Sequence, residues 1–181
     1  MDGSGPISLV MAPEIEVDSW RFLPPRLARL LRARAEGEPP ATSIPFAPLR
    51  KPLREARIAL LSTAGISCPP DPPFDMDGER ANPTWGDPSW RRIPHTATEK
   101  DVEVNHLHID TSYIKRDLDV ALPMRRLAEL VAAGEVGSMA PTHYSVMGFQ
   151  LDPTAQVTES APAIAASMRS EDVTAVVLAP V

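Results

Sequence analysis

Apolar residues along the chain fall into a few well-separated runs with different periods. Arg57 to Ser62 (RIALLS) is a short continuous apolar run that ends at Thr63-Ala64-Gly65, the pattern of a buried strand. Val173 to Ala179 (VTAVVLA) is a second such run, rich in β-branched residues. From Val102 to Ile109 the pattern alternates instead. Val102, Val104, His106, His108 and Asp110 share one face, and Glu103, Asn105, Leu107 and Ile109 share the other, which predicts a third strand.

Helical spacing appears in three places. Leu27, Leu30 and Leu31 lie on one face of Pro25 to Glu36, while Arg26, Arg29, Arg32 and Arg34 lie mostly elsewhere. Proline in the first turn and Gly37 after the last one mark its ends. Asp18 is a candidate cap for a shorter helical piece holding Trp20 and Phe22, which Pro24-Pro25 interrupts. Leu122 to Ala133 carries Leu127, Leu130 and Val131 at helical spacing and stops at Gly134. Thr158 to Arg169 places Ile164 and Met168 four apart, and Pro162 sets its start near Ser160. Val136 to Tyr144 reads as a turn and a short extended piece.

Helices alternating with strands predict an α/β fold: an open, largely parallel sheet flanked by helices, Rossmann-like or flavodoxin-like. Residues 1–44 read as an N-terminal arm with a short helix, and 45–181 as the α/β domain. Val173 to Val181 reads as a core strand with no covering helix after it, so either a partner supplies the cover or the domain is incomplete at its C-terminus, the latter being the expectation.

Composition narrows this picture. The 181 residues suit one domain with a tail, and 43% hydrophobic residues suffice for a packed core. Of the twenty-one prolines, twelve crowd Pro39–Pro52 and Pro69–Pro94. The first stretch is expected as part of a linker over 37–54. The second, within Ser67 to Thr98, is expected as a long loop holding Phe74, Trp85 and Trp90. A net charge of −6 argues against nucleic acid. No apolar run approaches the length that spans a bilayer, and no basic start precedes an apolar stretch, so the expected setting is cytoplasmic. Cys68 is the single cysteine, which excludes an intrachain disulfide.

In open α/β sheets, sites form where strands run out at their carboxyl ends. Three segments qualify: Ser62 to Gly65, His143 to Ser145 with Gly148, and Pro180-Val181. Thr63 and Gly65 are candidates to offer backbone N–H groups to an anionic substrate, with a plain strand-to-loop turn as the alternative. His143 is a candidate proton donor or substrate orienter beside Tyr144, or else a packing residue. Ser145 and Gly148 join the candidate substrate-binding set. His106, His108 and Asp110 form a candidate metal trio, against a polar face of hydrogen-bonded histidines. Cys68 is either a reactive thiol or an inert one. The arginine-rich helix face either meets an anion or acidic partner, or is solvated.

Several short motifs in this order resemble selenoprotein B of the glycine/sarcosine/betaine reductase and D-proline reductase family. They are KPLREARIALLSTAG (Lys51 to Gly65), PPFD (Pro72 to Asp75), GDPSWRRIP (Gly86 to Pro94), and His108 with Asp110. RRLAELV (Arg125 to Val131) follows, with Gly134 and Gly137. APTHYSVMG (Ala140 to Gly148) and DVTAVVLAPV (Asp172 to Val181) complete the set. The resemblance spans about residues 45 to 181. It implies an oxidoreductase subunit for dithiol-dependent reductive C–N cleavage of an amino acid or derivative. It implies a selenocysteine or cysteine nucleophile directly after Val181, with no cofactor in this chain. A pyruvoyl group would sit on a partner subunit, and a dithiol or thioredoxin-type reductant would serve as second partner. An oligomer is compatible with this. Two other readings stay open: a non-catalytic truncated α/β binding module held through Leu27, Leu30 and Leu31, and a redox selenoprotein with a substrate other than an amino acid.

Overall fold

The computed structural model describes residues 19–37, 47–82, 85–107, 109–148 and 150–181. The chain divides into two compact units, Met1–Ala47 and Pro48–Val181.

In the first unit a 3-10 turn, Ser19–Phe22, precedes helix α1, Pro25–Gly37. The turn closes through Leu23 N–H to Trp20 O at 3.1 Å. The Arg32 guanidinium lies 5.4 Å from the Trp20 ring centre. No residue of α1 is buried, and Leu27, Leu30 and Leu31 are all exposed. Asp18 and half of the expected linker, 38–46, lie outside the described residues.

The second unit is a mixed, mostly parallel sheet between helices. Its strands are β1 (Arg57–Ser62), β3 (Trp90–Pro94), β5 (Ser138–Met139), β6 (Thr142–Val146) and β7 (Ala175–Ala179). β1 is central. It pairs in parallel with β5 along its first half, with β6 along its second half, and with β7 on its other side. β3 runs antiparallel to β6 and forms one edge. A separate two-stranded ladder joins β2 (Ile66–Ser67) to β4 (Glu103–Val104).

The alternation of β1 sorts two cores. Ile58 and Leu60 face one side, where they meet Ile66, Ile93, Leu122, Met124 and Leu127. That side is covered by α3 (Ser112–Arg116) and α4 (Met124–Ala132). Ala59 faces the other side with Tyr144 and Ile164, beneath α5 (Ala161–Ser170). Burial of apolar area on both faces is what a parallel sheet requires.

Four expectations are corrected. The proline-rich stretch 67–98 is not one long loop, because it contains α2 (Met76–Ala81) and strand β3. Pro94 is tolerated in β3 because it closes the strand at the sheet edge. The strand expected over 102–109 shrinks to β4. The Asn105 side chain turns inward instead, accepting hydrogen bonds from Ser67 Oγ (3.1 Å) and Phe74 N–H (2.8 Å). The helix expected from Leu122 begins at Met124, since Pro123 sets its first turn. Finally, β7 is an edge strand rather than a core one, with Val176, Val177 and Leu178 exposed. The helix expected to start near Ser160 does so, as α5 from Ala161, after a wide π turn over Gln156–Ser160.

Candidate active site

The carboxyl ends of β1, β6 and β7 meet, because all three strands run parallel around β1. Thr63 lies at the centre of the junction. Its N–H donates to Ala179 O (3.3 Å), and its carbonyl accepts from Gly148 N–H (3.1 Å). Its hydroxyl accepts from Val181 N–H (2.9 Å) and lies 3.5 Å from Val181 O. Gly148 fits only because it lacks a side chain: a Cβ there would lie 2.9 Å from Thr63 Cβ.

One residue pair further on, Gly65 N–H donates to Val146 O (3.1 Å), and Ala64 bridges Met147. Gly65 has φ +63°, and a Cβ there would stand 2.3 Å from Asn105 O. The turn that ends β1 thus needs glycine for two independent reasons.

These bonds change the expected role of the turn. The N–H groups of Thr63, Gly65 and Gly148 are engaged within the fold, and Ala64 N–H donates to Ser62 Oγ at 3.2 Å. They are not aimed at a ligand. The free chemical capacity at the junction lies in side chains and in the path of β7.

The β6 candidates alternate across the sheet and are all buried. His143 Nδ1 accepts the Leu60 N–H at 3.1 Å, so the ring proton resides on Nε2. That Nε2 has no hydrogen-bond partner among the described residues. Burial, with a smaller contribution from nearby His95, lowers the His143 pKa to about 4. Tyr144 points to the opposite core. Its hydroxyl donates to Ser167 Oγ on α5 (2.9 Å), its ring sits 5.8 Å from that of Trp90, and burial pushes its phenol up. Ser145 Oγ accepts from Ile66 N–H at 2.8 Å. In this structure the three side chains tie β6 to β1, to α5 and to β2.

Cys68 is 7% exposed beside a cavity of about 190 Å³ that also touches Asp71, Arg92 and Thr142. Burial, then Asp101 and Asp71, raise its pKa, which keeps it a thiol rather than a thiolate. Asp110 is committed locally: its carboxylate accepts from Ser112 N–H at 2.9 Å and is held below the usual carboxylate range by Ser112. His106 is half-buried, and His108 lies outside the described residues. Among the described residues no three His, Cys, Asp or Glu side chains gather as a metal site.

Sequence reasoning missed Arg91. It is 6% exposed, and its guanidinium donates to Pro72 O, to Pro73 O (3.0 Å) and to Ser89 Oγ (2.8 Å). It also pairs with Asp87 at 3.4 Å and covers the Phe74 ring at 4.2 Å. The signal available was the alternation Trp90, Arg92, Pro94 against Arg91, Ile93. Beside the junction, a cavity of about 260 Å³ opens between α5 and the sheet, lined by Leu61, Val146, Ile164, Met168, Val176 and Leu178. No helix among the described residues is long and apolar enough to cross a membrane.

Residues 37–181 match the family model of glycine/sarcosine/betaine reductase selenoprotein B. The chain is 29% identical over 133 residues to the D-proline reductase subunit gamma of Acetoanaerobium sticklandii, an alignment covering 74% of this chain and 52% of that protein. It is also 29% identical over 161 residues to the glycine reductase complex component B subunit gamma of Carboxydothermus hydrogenoformans, covering 84% and 36% respectively. The chain therefore spans about half of the first relative and about a third of the second. Both relatives are named as subunits of reductases. No solved structure matches the chain significantly. With its family model covering everything from the end of α1 to the tip of β7, the chain belongs to the glycine/sarcosine/betaine reductase selenoprotein B family.

Proposed function

We propose that this chain supplies the strand junction of an oxidoreductase subunit that reductively cleaves a C–N bond in an amino acid or amino-acid derivative. The observation that carries the reading is the convergence of β1, β6 and β7 on Thr63, within a family-matched segment that runs to Val181. A selenocysteine or cysteine following Val181 would supply the ionised nucleophile for that cleavage. The residues of this chain fix the strand that delivers it: β1 pairs with β7 at five positions, from Ile58↔Ala175 to Ser62↔Ala179. His143, Tyr144 and Ser145 serve the site by holding β6 in register rather than by touching substrate. Cys68 is not the nucleophile, since burial keeps it protonated.

Partners follow from the same reading. A second subunit, bearing a pyruvoyl group, would present the substrate amine, and a dithiol or thioredoxin-type protein would supply electrons. The setting would be the cytoplasm. The exposed apolar residues of β7 favour a second reading, a non-catalytic α/β module that binds another chain through that strand.

An assay of the native protein with its co-purifying subunits separates the two. The expected result is dithiol oxidation that depends on glycine, sarcosine, betaine or D-proline and follows the subunit through purification. Dithiol oxidation unaffected by every one of these substrates would contradict the amino-acid reductase reading and favour the binding module.

A further inference from the structure

We infer that Thr63 is the positioning residue that fixes the path of the chain as it leaves β7, and so sets where the next side chain points. The functional half of this inference rests on the proposed reading that the reactive residue follows Val181. The structural half does not.

The β1–β7 ladder ends at Ser62↔Ala179. Pro180 has no N–H to give. The first donor beyond the ladder is therefore Val181 N–H, and it goes to the Thr63 hydroxyl at 2.9 Å. The Thr63 N–H takes Ala179 O on the near side of the proline (3.3 Å), so one residue grips the strand on both sides of Pro180. β7 is an exposed edge here, with Leu178 65% accessible. It has no other hydrogen-bonded neighbour strand among the described residues that could set its direction.

Thr63 is itself held. Its β-branched side chain has restricted χ1 freedom. Its carbonyl is fixed by Gly148 N–H, and the missing Cβ of Gly148 lets β6 close against it. The chain of contacts runs Gly148 to Thr63 to Val181. A valine at 63 would keep the shape and remove the acceptor, whereas a serine would keep the hydroxyl.

The test uses Thr63→Val and Thr63→Ser, with two readouts. In the full-length subunit, amide hydrogen exchange at Val181 should accelerate about tenfold in Thr63→Val, as for loss of one ordinary hydrogen bond. It should stay near wild type in Thr63→Ser, with Val177 unchanged in both. In the assembled reductase, Thr63→Val should lower kcat about 10- to 100-fold with KM unchanged, and Thr63→Ser should restore it. Unaltered exchange at Val181 in Thr63→Val overturns the inference. Accelerated exchange with unaltered kcat overturns the positioning role in the reaction. A wild-type assembly without substrate-dependent dithiol oxidation instead overturns the proposed function, while the exchange result still reads the grip of Thr63 on the strand.

Discussion

The imidazole of His143 on β6 accepts the backbone N–H of Leu60 on β1 at 3.1 Å, a side chain standing in for a strand-to-strand bond. It does so between the two partners that β1 uses on that side. Ile58 pairs with Met139 of β5, and Leu61 pairs with Tyr144 of β6. Ala140-Pro141 separates β5 from β6, and His143 closes the seam there. Only the neutral ring can accept this bond.

A pH dependence of stability follows. The folded-state pKa of His143 is lowered from 6.5 to about 4 by burial first and by His95 second. The unfolded chain binds this proton more readily, so stability is fully present above about pH 6.5. It falls as pH drops through the window toward 4. The loss by pH 4 is on the order of 3 kcal/mol, at about 1.36 kcal/mol per pH unit. Urea unfolding at pH 8, 6, 5 and 4 reads it. His143→Gln should cost about 1–2 kcal/mol at pH 8 and flatten this limb. An acid limb of equal depth in that variant would show that another group carries it.

Arg91 holds the proline-rich segment by hydrogen bonds to Pro72 O, Pro73 O and Ser89 and by its pairing with buried Asp87. Burial raises the Asp87 pKa, but Ser89, the N–H groups of Asp75 and Ser89, and Arg91 together outweigh it and leave it lowered. Arg91→Met leaves that buried carboxylate without its cation and the Pro72 and Pro73 carbonyls without their donor. The expected loss is about 3–5 kcal/mol, measured by denaturant unfolding. A loss under about 1 kcal/mol would mean that the segment is held elsewhere.

Two glycines with positive φ should respond differently to alanine. Gly65 (φ +63°) would bring a Cβ to 2.3 Å from Asn105 O, whereas Gly134 (φ +74°), after α4, has nothing within 4 Å. Gly134→Ala should cost about 1–2 kcal/mol, the left-handed backbone alone. Gly65→Ala should cost clearly more, because a backbone atom must also move. Thermal unfolding of the two variants tests the order.

Cys68 should react slowly. It is nearly buried and its pKa is raised. With a disulfide reagent at pH 8 the folded protein should modify roughly 100-fold slower than the urea-unfolded chain. Equal rates would place the thiol at the surface.

Much of the fold was legible in the sequence because apolar runs are read directly. β1 and β7 are continuous apolar stretches, and α4 carries leucines at helical spacing. β3 was hidden because its flanking prolines suggest a loop, while its register on β6 depends on residues more than forty positions away. The alternation over 102–109 misled because Asn105 spends its side chain on Ser67 and Phe74 rather than on a sheet face. At the site, strand polarity put Thr63 and Gly148 near one another. That their backbone groups satisfy one another is a tertiary fact that no spacing encodes. The edge position of β7 is equally invisible, since an apolar run reads the same at the edge as in the centre.

On the proposed function, β7 delivers the reactive residue of a reductase subunit. Tandem mass spectrometry of the native protein, on the peptide that begins near Asp172 and runs through Val181, tests it most directly. The expected result is selenocysteine or cysteine directly after Val181. A native chain whose last residue is Val181, or one in which neither residue follows it, would remove that role from β7.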